Sequence, residues 1–147
     1  MLLDDAQIAL NDVLVNIKDA ADHYDDAAGM LEPDATAALF RELARRRRDI
    51  ADEIESHIRN MGGLPRNADG DRETIARLLA RLKATLSADK RIELLTEREH
   101  VEGGIDTMIA TALQQDLPAD TSDYLQQVRA DIAKTRQRLV EAKTLPP

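Results

Sequence analysis

LFRELARRRRDIADEIESHIRNMGG, residues 39–63, is the stretch that decides the fold class. Leu39, Leu43, Ile50, Ile54 and Met61 recur at helical spacing, so one face of a long helix must be buried. Gly62-Gly63 then supplies the residue type that ends such a helix. Arg47 falls in the middle of the apolar face, where the period asks for a hydrocarbon. A charge in a helix seam must be paired or must reach water. The partner of Arg47 is therefore the question this stretch poses.

The same period runs outward in both directions. Leu3, Ala6, Leu10, Leu14, Ile17, Ala21, Tyr24, Ala28 and Leu31 mark a first helix over about residues 3–31. Its opposite face is acidic, with Asp12, Asp19, Asp22 and Asp26. Glu32-Pro33-Asp34 ends it, Pro33 suiting the first position of a second helix, about 34–61, which so short a turn makes antiparallel. A polar loop and an amphipathic piece follow, with Ile75, Leu78, Leu79, Leu82 and Leu86 on one side. Ser87 reads as the cap of a third helix, about 88–115, and Asp120 or Thr121 as the cap of a fourth, about 120–143. No stretch alternates like a strand. The chain reads as one all-α domain, residues 1–147, of two helical hairpins. The joining segment, residues 62–87, is longer than a bundle connection needs. With a short helix inside, it can start helix three at the end where helix two began, which is the ferritin-like crossover of a four-helix bundle.

Composition narrows the function. A formal charge of −8 and a pI near 4.9 argue against nucleic acid or an anionic membrane as a main partner. The run Arg45-Arg46-Arg47-Arg48 does not reverse this, because consecutive helical residues face different directions and Asp19 and Asp22 lie across the hairpin. With one Phe, two Tyr and no Trp the core is aliphatic and Ala-rich. No Cys excludes disulfides and thiolate chemistry. MLLDDAQIAL has no signal-peptide pattern and no stretch is apolar enough to span a bilayer, so a cytoplasmic protein is expected.

A di-iron bundle needs a Glu from each of two helices and Glu-x-x-His from each of the other two. Helix one carries no carboxylate in its seam, helix two spaces Glu53 and His57 by four rather than three, and helix four has no His. The only ligand set on offer is Glu53, His57, Glu102 and Asp131, with His57 otherwise a half-buried histidine near a helix C-terminus. No metal or other cofactor is expected, iron being the alternative. His23 reads as lying opposite the seam, and Glu97, Glu99 and His100 as surface.

On helix three the seam reads Leu94, Val101, Ile105, Met108 and Ala112, with Arg98 in line and Glu102 at its flank, four residues on and able to pair with it. Arg47 and Glu102 each lie about thirteen residues into their helices, near 20 Å at 1.5 Å rise, so they come to matching heights. The expectation is a buried polar layer with Tyr24, Arg47, Arg98 and Glu102 at its centre and Asp131 and Thr135 at its rim. The alternative is that the arginine stems cover apolar surface while their heads reach solvent. Gly103-Gly104, costly inside a helix, reads as a device for close packing.

LNDVLVNIKDAADHY in helix one, the Arg47–Ile50–Glu53 run ending in MGGLP, Glu102 ahead of IATAL, and LP before the last helix resemble a bacterial ferritin-like four-helix-bundle family known as a domain of unknown function. The resemblance implies that fold and a distant kinship to di-iron carboxylate proteins, and it implies no activity. Val101 stands where the family has Gly, and the family's aromatic near Ile109 and His near Thr135 are absent. No nucleophile triad or phosphate loop is present, so the expectation is a metal-free, non-catalytic bundle with a structural or interaction role in a stress setting. A homodimer through a helix face, or a protein partner, is expected. A degenerate iron-binding or iron-storing bundle and a small-ligand carrier are the alternatives.

Overall fold

The computed structural model describes residues 4–67 and 89–145. They form four helices, α1 (Asp5–Gly29), α2 (Ala35–Asn60), α3 (Asp89–Ala112) and α4 (Ala119–Ala142), with no strand among the described residues. The expected short helix and apolar stripe of the crossover fall within residues 68–88, outside the described residues.

The helix ends follow local chemistry. Asp4 caps α1, its carboxylate accepting from the Gln7 amide at 2.7 Å. Asp34 caps α2 in the same way, accepting from Ala37 at 2.9 Å. Pro33 therefore stays outside the helix, because Asp34 can satisfy an orphan amide and proline cannot. Gly62 ends α2 with φ of +83°, letting the Gly63 amide reach back to the Ile58 carbonyl at 3.0 Å. The start of α4 departs from expectation. Pro118 sits at the cap with no side-chain bond, and the Asp120 carboxylate accepts from the Thr121 amide at 3.0 Å inside the first turn.

α1 packs most extensively on α2 and also lies along α3; α3 pairs with α4, and α2 lies more lightly against α4. α1 consequently buries a wide face, adding Val13, Ala20 and Ala27 to the expected seam. Leu14 and Ile17 of α1 cluster with Ile54 and Ile58 of α2, Ile105 and Ile109 of α3, and Val128 and Ile132 of α4. At the other end Tyr24 and Ala28 meet Phe40, Leu43, Leu94, Leu95 and Leu139. The second half of α2 thus shares a level with the second half of α3, so the two helices run in the same direction. That is the crossover arrangement.

Two seams sit differently from their sequence reading. α2 turns toward α1, its most extensive neighbour, burying Ala44, Ala51 and Ile58 and leaving Leu39, Ile50 and Met61 only partly covered. On α3 the buried line is Leu94, Leu95, Arg98, Glu102, Ile105, Ile109 and Ala112. Met108 is 38% exposed and Val101 half-buried, so Glu102 lies on the core line rather than at its flank.

Candidate functional site

The two apolar clusters are separated by a layer of charge. Arg47, on the inward line of α2, is 1% exposed, and Glu102, on the inward line of α3, is also 1% exposed. Their helices are not adjacent in the bundle, so the arginine reaches across its middle. Arg47 Nε and Nη2 both meet Glu102 Oε1, at 2.9 and 2.7 Å. Nη1 donates to Asp131 Oδ2 of α4 at 2.8 Å, and Nη2 to Thr135 Oγ1 at 3.1 Å. From α1, the Tyr24 hydroxyl donates to Glu102 Oε1 at 2.8 Å. Each of the four helices therefore contributes a polar group to one point.

The charges balance. Arg46 pairs with Asp131 from the solvent side, so Arg46 and Arg47 face Glu102 and Asp131. Burial, and then the Glu102 carboxylate, raise the Tyr24 phenol well above its usual pKa, so the phenol stays a donor. Glu102 Oε1 receives every bond made to that carboxylate, while Oε2 is buried without a hydrogen bond.

Arg98 behaves differently from the expected i,i+4 partner of Glu102. Its guanidinium, 2% exposed, turns to Glu97, with Nε and Nη2 at 2.8 and 2.7 Å from the two carboxylate oxygens. Nη2 also lies 3.1 Å from His23 Nδ1, and the group stacks 5.4 Å from the centre of the Tyr24 ring. Glu97 and His23, outward by sequence pattern, are both drawn in by a fork of N–H donors wedged between α1 and α3. Glu99 also leaves the surface role, pairing with Arg136 at 2.9 Å. Thr135, expected at the rim, is 2% exposed, whereas the Asp131 side chain keeps 15% exposure and does form the rim.

The four metal-ligand candidates separate into two places. His57 Nδ1 lies 2.8 Å from Thr121 Oγ1, its ring stacks on Tyr124 at 5.4 Å, and Nε2 is 3.6 Å from Glu53 Oε1. That group joins the end of α2 to the start of α4, about 15 Å along α2 from Arg47. Glu102 and Asp131 are engaged by Arg47. Among the described residues no three His, Cys, Asp or Glu side chains converge as metal ligands do.

Two buried polar residues carried no signal as a site. Gln7 donates to the Met61 carbonyl at 3.0 Å, and Asn11 accepts from the Arg66 amide at 2.8 Å. Both hold the loop after α2 against α1. Their place on the inner flank of α1, four apart, was the available clue.

A family model described as a domain of unknown function (DUF2383) matches residues 5–115, most of the chain. The chain belongs to the DUF2383 family. Among solved structures, a mutant of Dps1 from Mycobacterium smegmatis superposes with a TM-score of 0.73. The match covers 96% of this chain and 99% of that one at 14% identity, a likeness that shows the fold alone. No curated protein matches. The DUF2383 fold here is a ferritin-like, all-α four-helix bundle, and no helix among the described residues is long and apolar enough to cross a membrane.

A fold of that kind raises the question of a metal. The bonds from Arg47 to its acceptors, 2.7 to 3.1 Å from nitrogen to oxygen, set those oxygens roughly 3.2–4 Å from the guanidinium carbon. Metal–ligand bonds run about 2.0–2.6 Å. Glu102 and Asp131 are thus set against a planar organic cation that already balances their charge, and an added metal ion would meet a buried guanidinium there.

Proposed function

We propose that this DUF2383 chain is a metal-free, non-catalytic bundle with a structural or interaction role, working as a homodimer or with a protein partner. The observation that carries the reading is the guanidinium of Arg47, which neutralises Glu102 and Asp131 from inside the chain. Carboxylates already paired and hydrogen-bonded to a fixed cation are poor ligands, because a metal would have to displace that cation and leave its charge buried.

Elemental analysis of protein purified without chelator, repeated after anaerobic Fe(II) addition, tests the proposal. Metal well below one ion per chain is the expected result. Near two irons per chain would replace it with an iron-binding or storage role. Light scattering on the same sample gives the oligomeric mass, with twice the chain mass expected.

A further inference from the structure

The mid-bundle layer is built as a receptor. Three side chains, Glu102, Asp131 and Thr135, accept from one guanidinium, and a fourth, Tyr24, donates to Glu102 beside it. Three bonds converge on Glu102 Oε1, two from Arg47 and one from Tyr24, and only the Tyr24 bond is independent of the arginine. Thr135 and Asp131 stand one helical turn apart on α4 and so share a face. The acceptors come from α3 and α4, the supporting hydroxyl from α1 and the guanidinium from α2, so removing the guanidinium leaves the acceptors on helices other than its own.

One member of the layer also reaches the surface. α2 and α4 pack together least of the neighbouring helices, and between them opens a surface groove of about 290 Å³ lined by Arg46, Asp49, Ile50, Tyr124, Gln127, Val128 and Asp131. Asp131, the cage member with an exposed face, lines this groove, where Arg46 pairs with it from the solvent side.

We propose that Tyr24, Glu102, Asp131 and Thr135 form a binding site for guanidinium-type cations, which Arg47 fills from within and which a free guanidinium compound fills when that side chain is removed. The class follows from shape. A planar fork meets acceptors about 3.2–4 Å from its centre, an ammonium places its donors closer in, and a divalent metal needs shorter bonds still. The inference stands apart from the scaffold role: iron bound elsewhere would end the role and leave this site intact.

The test is Arg47→Ala in the full chain, titrated with methylguanidinium chloride, with methylammonium chloride and Mn²⁺ as competitors of the wrong shape. Thermal unfolding is followed beside the wild type at matched ionic strength. A ligand that binds only the folded form raises Tm in a saturable way. The expected result is a saturable rise in Tm for the variant with methylguanidinium alone, no rise for the wild type, and loss of the response in Arg47→Ala/Glu102→Gln. No saturable rise, or an equal one with methylammonium, overturns the proposal; one Mn²⁺ per chain overturns its shape selectivity. Wild-type protein supplies a measurement that does not depend on the variant folding. Resolved, slowly exchanging Nη protons of Arg47 in a ¹⁵N-correlated spectrum support the cage, and a single averaged resonance overturns it.

Discussion

Arg47 Nη2 and Glu102 Oε1 lie 2.7 Å apart across the middle of the bundle, joining two helices that are not packing neighbours. The pair holds the parallel relation of α2 and α3 at one height, because a shift of either helix by a turn would move the guanidinium about 5.4 Å from its carboxylate. Buried ion pairs give little net stability compared with hydrocarbon, yet losing one partner strands the other. Glu102→Leu should therefore cost about 3–5 kcal/mol, and adding Arg47→Leu should cost little more or restore part of the loss. Urea denaturation of the two single variants and the double variant measures the coupling; additive losses would contradict it.

Tyr24 contributes one bond to the same oxygen. Tyr24→Phe keeps the ring against Phe40 and under Arg98 and removes only the hydroxyl. The expected loss is about 1–2 kcal/mol, set by one hydrogen bond to a charged acceptor. It should grow when Arg47 is already absent, since Tyr24 is then the donor left to Glu102 Oε1.

The glycine pair of α3 behaves as two separate residues. A Cβ on Gly103 would come within 3.1 Å of the Arg136 guanidinium, which lies over that glycine and pairs with Glu99. A Cβ on Gly104 would meet nothing within 4 Å, so close packing does not explain it. Gly104→Ala should stabilise the protein by about 0.8–1 kcal/mol through helix propensity alone. Gly103→Ala should gain less, because Arg136 must move off its half-exposed ion pair. Chemical denaturation of the two variants orders them.

Alkaline pH reads two phenols. Burial, followed by the Glu53 and Asp49 carboxylates, pushes the Tyr124 phenol up to about 12, and Tyr24 is also raised well above its usual value. A phenol that ionises less readily folded than unfolded adds stability that is complete below the unfolded pKa and lost as pH rises toward the folded one. As far as these phenols control it, stability should hold from neutral to about pH 10. It should then fall between there and the Tyr124 value of about 12. Tyr124→Phe should reduce the slope in that window, measured by urea denaturation at stepped pH with phenolate absorbance as the titration record.

Periodicity alone determined that the chain makes helices, roughly where each begins and ends, and that Arg47 sits in a seam. Asp4 and Asp34 as caps and Gly62 as a stop follow from local hydrogen-bonding chemistry, which needs no partner helix. Counting residues at a fixed rise also brought Arg47 and Glu102 to one level. Rotation about each helix axis was beyond that reach, because an apolar stripe is wide and only the neighbours decide which of its edges becomes the centre. Packing chiefly against α1 turned α2 so that Ile50 moved outward, and on α3 it exposed Met108 and drew Glu102 fully inside. The same packing sent Arg98 to Glu97 and His23 instead of Glu102. Donor and acceptor directions in a buried layer are set by where four helices meet, and that meeting is a property of the tertiary structure.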